Sequence, residues 1–332
     1  MALKYLHVWS GLFSCMRMNS ITALLFVLSG VAYSAEGSRL NGFQFEDPLV
    51  PADSIEKGGP PRDGIPAIHS PRFVSADDAV FLGPDDRILG VSRGGKSKAY
   101  PVRILNHHEI VNDWISEQAI VVTYCPLCGS GVAFSAHVGG TDLTFGVSGL
   151  LYNSDVLLYD RETGSLWSQI AGISINGPLK GSELIQRPLQ HTSWENWRQR
   201  HPDTEVMSTD TGFPFIDYKR DPYKQYRKDS RLWFPVSNTD NRLRNKAWVL
   251  GVIAGGSAKA YPLKKLGKNE SPIHDRIGNM PVTIHFDSEH QTAAAFDQDR
   301  NYVESIQLYW FAWAAFHPDT SIWDCDDGSR RC

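Results

Sequence analysis

Two cysteines, Cys125 and Cys128, stand with two residues between them in "IVVTYCPLCGSGVAF", between one apolar run and another. That spacing brings two sulfurs to one point, which allows a thiol/disulfide couple, a pair of metal ligands or a structural bridge. In many thiol oxidoreductases the first cysteine opens a helix, whose N-terminal amides lower its pKa. Here Gly129, Ser130 and Gly131 lead into "VAF", a branched and aromatic run that predicts a strand, so the cysteines are expected in a turn between two strands. A Cys-Pro-x-Cys-Gly turn also suits a metal knuckle, because glycine lets the backbone fold its amides toward the sulfurs.

The redox reading needs a cation to hold one thiolate near neutrality, and Arg161 in "YDRETGSLW" is the candidate; its alternative role is a hairpin residue bonded to Asp160 or Glu162. Tyr124, Tyr152, Asn153, Asp155, Trp167 and Gln169 are candidate walls of the same pocket, each of which would serve equally as sheet packing. The metal reading needs further ligands, for which His137 and His290 are the candidates beside Cys125 and Cys128. Copper, zinc and iron are the candidate ions, with copper favoured where thiolate and imidazole combine. A noncatalytic binding module with a structural disulfide is the third reading. Thiol/disulfide chemistry with a small-molecule or protein thiol partner is placed first, making the chain a candidate oxidoreductase.

The elements that must position these residues come in two sets. "ILGVSRGGKSKAYPVRIL" (88–105) aligns with "VLGVIAGGSAKAYPLKKL" (249–266) at a shift of 161, an internal repeat. The shift becomes 162 near residue 133, then 116 where "SWENWRQRHPDT" (193–204) meets "YWFAWAAFHPDT" (309–320), so the second copy is shorter by 46 residues. At the shift of 162 Cys125 falls on Asp287 and Cys128 on His290; the second copy lacks both thiols, and chemistry is expected in the first. Alternating apolar runs predict strands at "RILGVS", "KAYPV", "AIVVTY", "GVAFSA" and "DLTFGVS", with a helix over 103–115. "DVLLYD" and "SLWSQI" flank a hairpin turn at Gly164, and Ser193 caps a short helix. The expected fold is α+β, mainly antiparallel and barrel-like. It comprises two tandem copies of one domain at 70–210 and 233–325, a polar linker at 211–232 and a tail at 326–332.

A chain of 332 residues, 42% hydrophobic and 21% charged, is long enough for two cores. Its net charge of −4 provides no basic stripe, which excludes nucleic acid as the expected partner. "MRMNSITALLFVLSGVAYS" (16–34) reads as a cleavable signal peptide, with an uncleaved anchor as the alternative, and no later segment is apolar enough to span a bilayer. The expected location is therefore periplasmic or secreted. Removing the leader removes Cys15 and leaves four cysteines in a disulfide-permissive compartment, where Cys325 and Cys332 are expected to pair.

"TYCPLCGS", "GLLYNSDVLLYDRETGSLWSQ" and "KAYPVRILNHHEIVND" together resemble the bacterial and archaeal family known as domain of unknown function 3179, over roughly residues 70–325. The family label carries no activity. The resemblance implies a family that includes selenoproteins, which would place the selenium position at Cys125 or Cys128 and favours redox chemistry there.

Overall fold

The computed structural model describes residues 38–324. Both "LGV…KAYP" stretches fold as hairpins, Arg87–Arg93 with Lys96–Pro101 and Trp248–Ala254 with Ser257–Pro262. Their registers coincide at the repeat offset, Ile88 opposite Pro101 and Val249 opposite Pro262. Each hairpin turns on two glycines with positive φ, Gly94 and Gly95 in the first and Gly255 and Gly256 in the second. Such a turn matches the twist of the strands it joins. An antiparallel strand then adds to one side, Gln190–Ser193 in the first half and Ser305–Tyr309 in the second. A parallel strand adds to the other, Glu205–Met207 and Ser321–Ile322.

The repeated tryptophan and "HPDT" explain the glycine of "LGV". Helices Trp194–Arg200 and Trp310–Phe316 lay Trp197 over Gly90 and Trp313 over Gly251, so close that a Cβ on either glycine would come within 2.4 Å and 2.2 Å of the indole. The two indoles donate to Thr204 and Thr320, at 2.9 and 2.8 Å, and each packs a histidine, His201 or His317, against its face. Ser193 caps the first helix by accepting the Asn196 N–H, as its position in the sequence requires.

The remaining strands form further curled sheets. Ile110–Ile115, Gln118–Cys125 and Ser130–Ser135 run antiparallel and are flanked by Gln186–Arg187 and a parallel strand, Ile68–His69. Their second-half counterparts are Ile273–Ile277, Met280–Asp287 and Thr292–Phe296. The segment found only in the first half supplies most of another sheet, through Phe145–Tyr152, Asp155–Asp160, Leu166–Ser168 and Ser174–Asn176. The fold is thus mostly antiparallel β, with curled sheets in a propeller-like arrangement.

Two expectations are corrected. No sheet among the described residues closes into a barrel: the two hairpin sheets end on short strands of two to five residues, which cannot carry pairing round a ring. The helix expected over 103–115 covers only Val102–His108, because Glu109 takes a left-handed φ of 59° and the branched Ile110 and Val111 start a strand.

The described residues belong to one compact unit. Strand Ser130–Ser135 packs on Ser305–Tyr309, and Thr292–Phe296 packs on Gln190–Ser193, so each half leans on the matching strand of the other. One apolar cluster accordingly holds Cys125, Cys128 and Val132 together with Val249, Tyr309 and Trp313. The expected linker joins it too: its short helix Lys224–Lys228 buries Tyr226 in that cluster. No helix of the described residues is long and apolar enough to cross a membrane. The leader, Cys15, Cys325 and Cys332 lie outside the described residues.

Candidate functional site

Cys125 is the last residue of its strand and faces Ser130 across the ladder, so Pro126 to Gly129 form the turn. The Cys128 N–H reaches back to Cys125 Sγ at 3.4 Å, the amide-to-sulfur contact of a knuckle. Gly129 closes the turn at a φ of 66°, and a Cβ there would stand 2.8 Å from the Trp248 ring and 3.2 Å from that of Tyr309. The Tyr309 N–H donates to the Cys128 carbonyl at 2.8 Å. The second half therefore clamps the cysteine turn through side chains and backbone together.

A second tight turn faces the first. Asn153 and Ser154 both adopt positive φ between paired Tyr152 and Asp155, the geometry of a two-residue hairpin. Asn153 accepts from the Ser237 N–H, and Ser154 donates to the Phe234 carbonyl, which anchors this turn to the chain after the 211–232 segment. The Ser154 carbonyl accepts from both thiols, at 3.4 Å from Cys128 and 3.8 Å from Cys125. Asp155 follows, and one of its carboxylate oxygens lies with the two sulfurs so that all three atoms are within 4.8 Å of one another.

All three side chains are fully buried. Burial pushes both thiols up, Cys128 further because Cys125 and Asp155 add to it. Burial also raises the Asp155 carboxyl to about 7, against the Ile170 N–H, which donates to Oδ2 at 3.0 Å. Asp155 Oδ1 is buried without a partner. Glu109, placed inward by its left-handed backbone, is raised to about 8 by burial and by Asp155. Over the site sits Tyr226, whose buried hydroxyl also lacks a partner and whose pKa is raised by burial and by both thiols. Two cysteines and Asp155 thus share a small volume, and Glu109 is near enough to feel the Asp155 charge.

The other sequence candidates fall as follows. Gln169 is beside the turn, accepting from Ser130 Oγ and donating to Thr123 Oγ1. Tyr124 is on the opposite sheet face from the sulfurs, in a different apolar cluster, against His191. Trp167 is core, its indole N–H held by Asp160. Tyr152 packs edge-on against Phe316. Arg161 pairs with Asp63 and Tyr159 and is more than a third exposed, so its charge is engaged away from the buried sulfurs. His137 is on an exposed hairpin bonded to Asp142, and His290 bonds Ser193; neither belongs to the cysteine cluster. Sequence reading missed Glu109, Tyr226 and the part of Asp155 as third member of the cluster. The available signal for Asp155 was its place directly after a two-residue hairpin turn in the segment that the second copy lacks.

The described residues thus carry two matching hairpins, each with a tryptophan over its glycine, and one buried Cys-Cys-Asp cluster. The chain belongs to the family described as protein of unknown function (DUF3179), whose model matches residues 62–320. Comparison with curated proteins and with solved structures gave no significant match.

Proposed function

We propose that Cys125, Cys128 and Asp155 hold a transition-metal ion, zinc(II) first and iron(II) second, in a centre that keeps one coordination position open. The observation that carries this reading is the convergence of both sulfurs and an Asp155 carboxylate oxygen within 4.8 Å of one another, fully buried, with Asp155 Oδ1 meeting no donor besides the neighbouring thiols. A buried polar atom left unpaired costs about 1–3 kcal/mol, and a bound cation removes that cost. The ion also displaces the thiol protons that burial otherwise retains, since thiolate is the form that binds. Three protein ligands and a vacant fourth position are the usual arrangement of a reactive zinc site, as opposed to a closed structural one. Copper loses its advantage because no imidazole among the described residues joins the cluster and a carboxylate is a hard donor.

Elemental analysis of natively purified mature protein tests this reading. One zinc or iron per chain is expected, lost in Cys125→Ser and Asp155→Asn variants that keep their circular dichroism. Protein that purifies without metal and takes up neither ion on dialysis overturns it.

The redox reading stands second, supported by the Asp155 carboxyl near neutrality, which suits it to accept a thiol proton. In that reading an incoming disulfide is reduced to two thiols while Cys125 and Cys128 become a disulfide, two electrons and two protons passing to the substrate. Intact mass before and after reductant, differing by two hydrogens, is its signature. We read the matched hairpin registers as an internal duplication, and the leader as sending the chain to the periplasm or out of the cell.

A further inference from the structure

Cys125, Cys128 and Asp155 are each 0% exposed, so an ion or a thiol partner reaches them only if part of their cover moves. Much of that cover is paired backbone: the cysteine turn closes a strand ladder and the Asn153–Ser154 turn closes a hairpin. The exception is the segment that brings Tyr226 into the apolar cluster of the two cysteines. The described residues between Met207 and Trp248 carry one helix, Lys224–Lys228, and no strand. Irregular stretches beyond about 15 residues are uncommon in compact folds and are usually functional.

This stretch is pinned at two points and held more loosely between them. His108 Nδ1 donates to the Pro66 carbonyl, so its Nε2 accepts from the Tyr218 hydroxyl, at 2.6 Å. On the far side the Phe234 carbonyl accepts from Ser154 Oγ at 2.8 Å, and the Ser237 N–H donates to Asn153 at 2.7 Å. Apart from a local turn at Asp217, three side chains of the described residues tie 219–233 to the rest of the chain by hydrogen bonds. They are His107, Asn245 and Lys246, all bonded to backbone carbonyls. Lys246 makes most of these bonds. Its ammonium reaches the carbonyls of Tyr226, Asp229 and Arg231 at 2.6, 2.6 and 2.8 Å, and lies 3.4 Å from the centre of the Tyr226 ring. One side chain therefore fixes both the end of the helix and its buried tyrosine. Tyr223, one turn earlier, packs against the same cluster. Burial raises both hydroxyls, with the two thiols adding at Tyr226 and with Glu109 and Cys125 adding at Tyr223. A segment held by few bonds, outside any ladder, can open while the sheets stay intact.

We propose that residues 219–233 form a lid over the Cys125–Cys128–Asp155 cluster, hinged between Tyr218 and Phe234 and latched by Lys246, which must lift before an ion or thiol partner enters. The lid rests on the proposed function only in taking this cluster as the working site. Its test reads thiol exposure and not metal content, so either can fail while the other stands.

Reduced, chelator-treated mature protein that keeps its circular dichroism is labelled with iodoacetamide, and the rate is read at Cys125 and Cys128 by peptide mass. Opening of the lid alone exposes little surface, so at low urea the labelling rate is expected to rise with a slope at most about a third of that of global unfolding. Lys246→Met is expected to speed labelling about tenfold or more, as loss of hydrogen bonds from a charged group implies. Gly90→Ala drives a methyl into Trp197 outside the lid and lowers the stability of the whole fold, yet it is expected to leave the labelling rate unchanged. A labelling slope equal to that of global unfolding would overturn the lid, and this measurement needs no variant should Lys246→Met fold poorly. So would an unchanged rate in folded Lys246→Met, or an equal acceleration in Gly90→Ala.

Discussion

Gly129→Ala is the sharpest probe of the claim that the second half clamps the cysteine turn. Two costs are separable in the structure. The left-handed φ of 66° costs an alanine about 1–2 kcal/mol. The added methyl stands 2.8 Å from Trp248 and 3.2 Å from Tyr309, so a ring must move, an overpacking cost of about 1–3 kcal/mol. Gly164 isolates the first cost, since its φ is 75° and nothing lies within 4 Å of its Cβ position. Urea unfolding of metal-free protein should therefore place Gly129→Ala about 1–3 kcal/mol below Gly164→Ala. Replacing Trp248 by leucine should recover most of that difference in the double variant, because the clash is with the indole. Equal losses for the two glycine variants, or additivity of Gly129→Ala with Trp248→Leu, would refute the clamp.

Other consequences are independent of the cysteine turn. Gly90→Ala and Gly251→Ala each force a methyl into an indole and should each cost about 3 kcal/mol in urea unfolding; Gly83→Ala, whose nearest atom is a flexible Asp86 oxygen at 3.8 Å, should cost under about 0.5 kcal/mol. Glu109 is raised from 4.5 to about 8 in the folded chain, so the unfolded chain releases that proton first and stability falls as pH rises between those values. Glu109→Gln should flatten that fall, by at most about 5 kcal/mol at pH 8, as read from urea midpoints against pH. An identical slope in the variant would remove Glu109 from the buried cluster. His317 is lowered from 6.5 to about 4 by burial, so it folds neutral and its contribution is lost as pH falls through that window; His317→Asn should lessen acid destabilisation between pH 6.5 and 4.

What the sequence made legible follows physical range. The hairpins, the capped helix and the strand–turn–strand placement of Cys125 and Cys128 depend on near neighbours, and periodicity and turn residues report those directly. The cluster around the sulfurs depends on contacts 26 to 46 residues away, from Ser154 to Cys128 and from Gln169 to Thr123, which no local pattern encodes. Glu109 illustrates the limit. Its repeat-equivalent at the shift of 161, Glu270, is exposed, while Glu109 is buried, and both read identically as a glutamate after a short helix. The 211–232 segment shows a related limit: its composition is polar, yet Tyr226 is buried and Lys246 covers its ring at 3.4 Å. A single aromatic residue outweighed the charge pattern around it.

The turn after strand Met280–Asp287, which the shift of 162 sets beside the cysteine turn, has a similar form without the thiols. The His290 N–H donates to Asp287 Oδ1 at 3.1 Å where the Cys128 N–H meets Cys125 Sγ, and Gln291 keeps a positive φ of 49° where Gly129 has its own. Arg87, at the position equivalent to Trp248, donates to the His290 carbonyl as Tyr309 donates to that of Cys128. The two turns therefore share a backbone form, with a carboxylate where the first has sulfur and a side-chain donor where the first has a backbone one. Restoring the thiols alone should not restore a site: Asp287→Cys with His290→Cys rebuilds a knuckle, but the second half has no counterpart of the Asn153–Ser154 turn or of Asp155. Elemental analysis of that double variant should give the same metal content as the parent. A second equivalent of zinc or iron would mean that the knuckle suffices by itself, and that Asp155 is incidental to the centre in the first half.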